Sequence, residues 1–206
     1  MQDREKKDVV MKNQKITTQI IAGLYKGKKL DLPSLDVTRS SKSRLKESFF
    51  NVLQFDVIDT IFIEAFAGSG SIGLEAISRE AHRAYFIEKD KASYSTLIKN
   101  CKAIDSSKCQ TFLGDTFKEL PLILNSLKNA SQELIVYIDP PFDIREGMQA
   151  IYDQCFQLVE NISNDNIMLI CFEHMSELQM PQILGKFELF KAKKFGNSSL
   201  SYYQSK

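Results

Sequence analysis

Residues 60–73 read TIFIEAFAGSGSIG: an apolar run, a carboxylate at Glu64, then Gly68, Gly70 and Gly73 within six residues. The run TIFIEAF (60–66) has the length and the β-branched and aromatic content of a short buried strand. The glycines let the backbone turn sharply and approach a ligand, and a helix to about Ser78 follows, presenting free amides at its start. Outward from this unit the same alternation recurs. AYFIE (84–88), CQTFLGD (109–115), ELIVYID (133–139) and NIMLICFE (166–173) read as strands, separated by helical stretches at 91–104, about 116–128 and about 146–160. That order predicts an α/β fold with a mostly parallel, doubly wound sheet and right-handed crossovers. FELFKAKKF (187–195), a turn at Gly196-Asn197 and SLSYYQ (199–204) add a C-terminal antiparallel hairpin at one edge.

The chain ahead of the sheet differs in kind. Residues 1–15 read as a polar N-terminal extension, with Met11 as an alternative start. QIIAGLYKGKKLDLP (19–33) alternates around Gly23 and Gly27 and predicts a short β-hairpin. Ser40–Leu53 is helical, capped by Ser40 or Ser41, with Leu45, Phe49, Val52 and Leu53 on one face. Phe49, Phe50 and Asn51 read as packing residues. The net charge of +1 hides an asymmetry: residues 12–51 carry nine Lys/Arg against three acids, whereas residues 52–206 sum to −5. A basic segment on a mildly acidic body predicts a polyanion met at one end of the molecule. A merely solvated surface is the alternative, but the charges sit among Ile20, Ile21, Leu24, Tyr25 and Leu30 and so belong to folded structure.

Composition excludes several classes. With 14 Phe and 7 Tyr in 206 residues the chain can build a core, so bulk disorder is ruled out. No apolar run approaches the ~18–20 residues that span a bilayer, and the charged N-terminus lacks the apolar stretch of a signal peptide; a cytoplasmic address is expected. Cys101, Cys109, Cys155, Cys171, His82 and His174 show no paired ligand spacing, so no metal is expected and the thiols should be reduced and mostly buried. His82 and His174 read as surface residues. Tyr202 and Tyr203 alternate along a strand, so one of them should face the core.

Ligands of such sheets bind outside the carboxyl ends of the strands, and four of those ends are polar: Glu64 with its glycine turn, Glu88, Gly114-Asp115, and Asp139-Pro140-Pro141-Phe142. The turn satisfies G-x-G-x-x-G with Glu88 20 residues beyond Gly68, which suits a nicotinamide or another nucleoside-type cofactor, Glu88 accepting from two ribose hydroxyls. Asp139-Pro140-Pro141-Phe142 breaks the tie. Two prolines remove backbone donors and leave carbonyl acceptors, Asp139 adds a carboxylate, and Phe142 offers a stacking face. An acceptor-rich pocket beside an aromatic ring suits an exocyclic amine of a planar base, and hydride transfer has no use for it.

EAFAGSGSIGLEAISR (64–79) together with DPPF (139–142) is similar to S-adenosylmethionine-dependent amino-methyltransferases. More narrowly, Gln19 to Tyr203 resembles the bacterial RsmD family of 16S rRNA guanine-N2 methyltransferases. The supporting stretches are IIAGLYKGKKL (20–30), TRSSKSRLKESFFN (38–51), the glycine loop, FIEKD (86–90), GD (114–115), DPPF and FGNSSLSYY (195–203). The chain departs from the family pattern at Gln19 (usually Arg), Ser40 (Pro), Glu64 (commonly Asp) and Glu80 (Gly).

The resemblance implies a Rossmann-like class I methyltransferase domain over 56–206, with a basic hairpin and helix over 16–55 as the RNA-binding part. It implies S-adenosylmethionine cradled by the backbone at Ala67, Gly68, Ser69 and Gly70. Glu64 would lie near its amino group, Glu88 on the ribose and Asp115 on the adenine amine; Asp115 also reads as an N-cap before Thr116. Asp139, Pro140, Pro141 and Phe142 would carry the chemistry on a looped-out guanine. Lys26, Lys28, Lys29, Arg39, Lys42, Arg44 and Lys46 would grip phosphates, with Arg39 and Arg44 alternatively pairing with Glu47 or the acidic body. Glu173 can approach the target base or serve as a solvated or helix-capping residue. The partner implied is 16S rRNA in the small ribosomal subunit, met by a monomer. An adenine amino-methyltransferase and a non-catalytic ribosome-assembly factor of the same fold are the alternatives.

Overall fold

Every residue of the strands Ile61–Glu64 and Leu134–Ile138 is buried, because helices cover both faces of the sheet they centre. The computed structural model describes residues 16–33, 39–141 and 148–206, without the side chains of residues 39–41, 148 and 149. In chain order the elements are β1 (Thr17–Gln19), β2 (Lys29–Asp31), α1 (Arg39–Leu53), β3 (Ile61–Glu64), α2 (Ser71–Ser78), β4 (Arg83–Glu88), α3 (Lys91–Ile104), β5 (Cys109–Leu113) and α4 (Thr116–Ser126). There follow β6 (Leu134–Ile138), α5 (Met148–Glu160), β7 (Ile167–Met175), β8 (Ile183–Leu184), β9 (Phe187–Phe195) and β10 (Ser198–Ser205). The expected N-terminal extension and the start of the last helix at about 146 fall outside the described residues; Ser40 and Ser41 do not cap α1 but lie inside it, because the helix already begins at Arg39.

The main sheet has the order β5-β4-β3-β6-β7-β10-β9-β8. β5, β4, β3, β6 and β7 are parallel, and the last three strands run antiparallel to their neighbours. The chain runs outward from β3 through β4 to β5, then returns to β6 on the other side, so the direction of winding reverses between β3 and β6. Their carboxyl ends, Glu64 and the residue after Ile138, flank that switch point, where such sheets open a crevice. The terminal hairpin is inserted with β10 against β7 and β9 outside it, with the short β8 on the edge.

Alternation along the strands divides the core in two. Phe62, Ile135, Tyr137 and Tyr202 pack with Phe49, Phe50, Leu74 and Leu97 on the face covered by α1, α2 and α3. Ile63, Val136, Phe172 and Tyr203 pack with Leu120, Tyr152 and Phe156 on the α4–α5 face. Tyr202 and Tyr203 are therefore both fully buried, contrary to the alternation argument, because the sheet is covered on both sides even at β10. Asn51 is exposed, while Phe49 and Phe50 are in the core. His174 is also buried, not a surface residue: its Nδ1 lies 2.8 Å from the Met175 carbonyl and its Nε2 2.8 Å from Ser201 Oγ. Burial lowers its pKa. All four cysteines are free thiols, three of them buried, and burial pushes Cys155 up to about 12. Among the described residues no helix is long and apolar enough to cross a membrane, and no cluster of side chains could hold a metal ion.

The β1–β2 hairpin is stitched to the body by main-chain groups. Glu75, wholly buried in α2, accepts from the Ile21 and Ala22 amides at 2.7 and 3.0 Å. The Ser78 carbonyl accepts from the Leu24 amide at 2.7 Å. Asn100 of α3 bonds both the amide and the carbonyl of Asp31 and reaches the Ser69 carbonyl at 2.8 Å. One side chain thus ties the hairpin to the glycine loop.

Candidate active site

The glycine loop is shaped by Gly70, whose φ of 77° lies in the left-handed region and whose missing Cβ would stand 2.5 Å from Leu97 Cδ1. No other residue satisfies both conditions. Glu64 closes β3 and turns back under the loop, accepting from the Gly73 amide at 2.8 Å and the Ile72 amide at 3.4 Å. Burial lifts its pKa to about 8 against the pull of those two amides. Glu88 closes β4 and accepts from Gly68 N at 2.7 Å and Asp90 N at 2.7 Å, so one carboxylate pins the loop to the next strand end.

At the next strand end Asp115 is an N-cap, accepting from Phe117 N at 3.0 Å, and its other oxygen pairs with Lys89 at 2.8 Å. Lys89 holds its carboxyl below the usual range.

Asp139 follows β6. Its Oδ2 lies 2.9 Å from Lys42 Nζ of α1, and the same ammonium is 3.5 Å from Glu173 Oε1 on β7. The Asp139 carboxylate, followed by Glu173, holds the Lys42 ammonium well above its usual range against the opposing cost of burial. Glu173 is 2% exposed, which removes the solvated reading. Its Oε2 accepts from Tyr137 Oη at 2.7 Å, and burial with the nearby Asp139 charge pushes it up to about 7. Pro140 is buried and Pro141 exposed. Phe142 lies outside the described residues.

These groups meet in one cleft of about 340 Å³. The loop side contributes Glu64, Ala67, Gly68 and Ser69; Asp139 and Glu173 form the base-side wall; Lys42, Lys46, Thr17, Thr18, Gln19 and Lys29 close it from α1 and the hairpin. Gly70, Glu88 and Asp115 support or extend the strand edge without lining this cleft.

Two lysines expected to grip phosphates do something else. Lys46 is buried, donating to the Gln19 carbonyl at 2.9 Å with Glu75 at 3.3 Å; burial lowers its pKa, and it cannot reach a phosphate. Lys42 is turned onto Asp139 and Glu173. Lys26, Lys28, Lys29 and Arg44 are exposed, and the Arg39 side chain lies outside the described residues. Glu75 and Asn100 escaped sequence reasoning altogether; the only signal was a carboxylate and an amide on otherwise apolar helix faces.

The chain matches the family model described as Conserved hypothetical protein 95 over residues 18–204. It is 30% identical to ribosomal RNA small subunit methyltransferase D of Escherichia coli K12 over 189 residues, covering 90% of this chain and 89% of that protein. The chain belongs to the RsmD family of S-adenosylmethionine-dependent methyltransferases. The Haemophilus influenzae protein of the same name is 34% identical over 150 residues, 72% of this chain and 76% of its own length. Among solved structures, yhhF from Escherichia coli superposes with a TM-score of 0.72 at 30% identity, covering 92% of this chain and 98% of that one. The fold is thus that of the class I methyltransferases.

The cleft fits the family's methyl donor. A Cβ at Gly68 would meet nothing within 4 Å, leaving open space against the loop backbone. Glu64, Asp139 and Glu173 line the same cleft, and such an acidic, acceptor-rich lining suits a ligand carrying an ammonium and a sulfonium.

Proposed function

We propose that this protein transfers a methyl group from S-adenosylmethionine to the exocyclic N2 amine of a guanine in the 16S rRNA of the small ribosomal subunit. It would act as a monomer in the cytoplasm. The observation that carries this reading is the shared cleft, with the glycine loop on one side, Asp139 on the other and the basic hairpin and α1 across from them. The names of the relatives support ribosomal RNA as the substrate.

In this reading the backbone of Ala67, Gly68, Ser69 and Gly70 holds the methionine portion, with Glu64 beside its ammonium. Glu88 serves the ribose, and Asp115 the adenine amine. Bound there, S-adenosylmethionine supplies an electrophilic methyl on a cationic sulfur. The chain's own residues make the amine a nucleophile. The lone pair of guanine N2 is delocalised into the ring; Asp139 and the Pro140 carbonyl accept its N–H bonds and favour the tetrahedral geometry that frees it. Pro141 stiffens the loop, and Phe142 stacks on the looped-out base. Positioning the reacting atoms within about 3–3.5 Å supplies much of the acceleration. Asp139, or water, takes the proton released after transfer. To bind the amine, Asp139 must exchange Lys42 for it.

Residues 16–55 form the RNA-facing part and residues 56–206 the methyltransferase. Lys26, Lys28, Lys29, Arg39 and Arg44 fix register on phosphates without reading sequence. The test is transfer of labelled methyl to small ribosomal subunits lacking the modification, with free 16S rRNA and duplex DNA alongside. N2-methylguanosine in the nuclease digest is the expected product. Methyladenosine, or label only in DNA, would overturn the substrate assignment.

A further inference from the structure

Asp139 and the prolines after it explain why an amine is accepted, but they do not distinguish guanine from adenine, since both carry an exocyclic amine. The discriminating atoms lie elsewhere on the base. The Watson–Crick edge of guanine presents two adjacent donors, N1–H and N2–H, followed by the O6 acceptor. Adenine presents its amine beside an N1 that only accepts.

Glu173 is the group beside Asp139 that the methyl-transfer chemistry leaves unused. It is 2% exposed yet lines the cleft. Its Oε2 is held by Tyr137 Oη at 2.7 Å, and Tyr137 is itself fully buried between Phe49 and the strand, so the carboxylate is aimed rather than mobile. Its Oε1 has no hydrogen bond among the described residues; Lys42 Nζ stands 3.5 Å away, an ion-pair distance too long for a strong hydrogen bond. A buried carboxylate oxygen left without a donor is costly unless a ligand supplies one.

We propose that Glu173 reads the target base, its free carboxylate oxygen accepting N1–H of guanine while Asp139 takes the N2 amine, with Lys42 as the donor to O6. This rests on the guanine-N2 reading above and supplies its specificity. Guanine satisfies the row of acceptor, acceptor and donor. Adenine would set its N1 lone pair against the Glu173 carboxylate and could pair with it only when a proton is forced onto that carboxylate, so the discrimination is read above about pH 8, where Glu173 is ionised. Sites built to hydrogen-bond a particular donor reject analogues lacking it far more strongly than apolar pockets reject a missing methylene.

The experiment uses small subunits reassembled with 16S rRNA carrying guanine, 2-aminopurine or 2,6-diaminopurine at the nucleotide the wild-type protein methylates. Both analogues keep the N2 amine but turn N1 into an acceptor. Wild-type kcat/KM should fall by about 100-fold or more on either analogue. In Glu173→Gln the side-chain amide can donate to an acceptor N1. Its activity on guanine should drop, and its preference for guanine over 2-aminopurine should shrink at least about tenfold. Thermal unfolding and S-adenosylmethionine binding establish that the variant is folded. Tyr137→Phe, which removes only the brace, should shrink the same preference by a smaller factor and serves if Glu173→Gln does not fold. An unchanged preference in a folded variant overturns the proposal, as does a wild-type protein indifferent to the analogues. Absence of N2-methylguanosine in the guanine substrate would instead remove the reading on which it rests.

Discussion

Glu64 shows how a single buried carboxylate couples the cofactor loop to pH. The folded protein keeps a proton on it up to about 8, whereas the unfolded chain releases it near 4.5. Stability from this group is therefore fully present below about 4.5 and is lost as pH rises through about 8. The melting temperature of the wild type should fall between pH 5 and 8.5, and Glu64→Gln, which cannot titrate, should flatten that fall. Parallel curves for the two proteins would show that Glu64 is not the group responsible. The same residue illustrates what the sequence can reveal. Its place at a strand end was legible, but its use as a brace for the Gly73 amide was not, because that depends on where the loop returns.

At the scale of elements, the hairpin and the glycine loop are one assembly. Gly23 has a φ of 85°, and a Cβ there would lie 1.8 Å from the Ser78 carbonyl oxygen of α2. Gly23→Ala should therefore destabilise the protein by about 2–4 kcal/mol in urea unfolding, from strained backbone and forced separation together. It should also weaken S-adenosylmethionine binding, since Asn100 links the hairpin to Ser69. A variant as stable as wild type would mean that the hairpin is not clamped as described. Glu80 gives the converse case. It adopts a φ of 71°, where the family usually has glycine, so that departure leaves a non-glycine residue in the left-handed region.

The strands, their order of appearance and the terminal hairpin followed from apolar or alternating stretches of five to nine residues, and the structure moves their ends by only a residue or two. Long-range partners were the illegible part. Nothing local to α1 distinguishes Lys42 and Lys46 from Arg44. Yet tertiary packing places Lys46 on Glu75, 29 positions along the chain, and Lys42 on Asp139, 97 positions away. Of these three cations Lys46 is buried, Lys42 is 45% exposed but held by Asp139, and Arg44 alone is exposed with no ion pair among the described residues.

For the whole molecule, the charge asymmetry sets how RNA is met. With Lys46 buried on Glu75 and Lys42 paired with Asp139, the exposed basic groups on the hairpin are Lys26, Lys28 and Lys29. Replacing Lys26 and Lys28, which do not line the cleft, with Ala should weaken binding to 16S rRNA and reduce the slope of log affinity against log salt, by roughly one unit per lost phosphate contact. S-adenosylmethionine affinity should be unaffected. An unchanged salt slope would place the RNA on another face.

In the function proposed, the cleft joining the glycine loop to Asp139 is where the methyl group is transferred. Single-turnover methylation of unmodified small subunits by Asp139→Ala, with S-adenosylmethionine and RNA binding measured on the same preparation, decides whether it is. The rate should be lower by about 10²–10⁴-fold, with both affinities within a few-fold of wild type. Methylation at the wild-type rate, or a loss of rate traced wholly to a loss of S-adenosylmethionine binding, would contradict it.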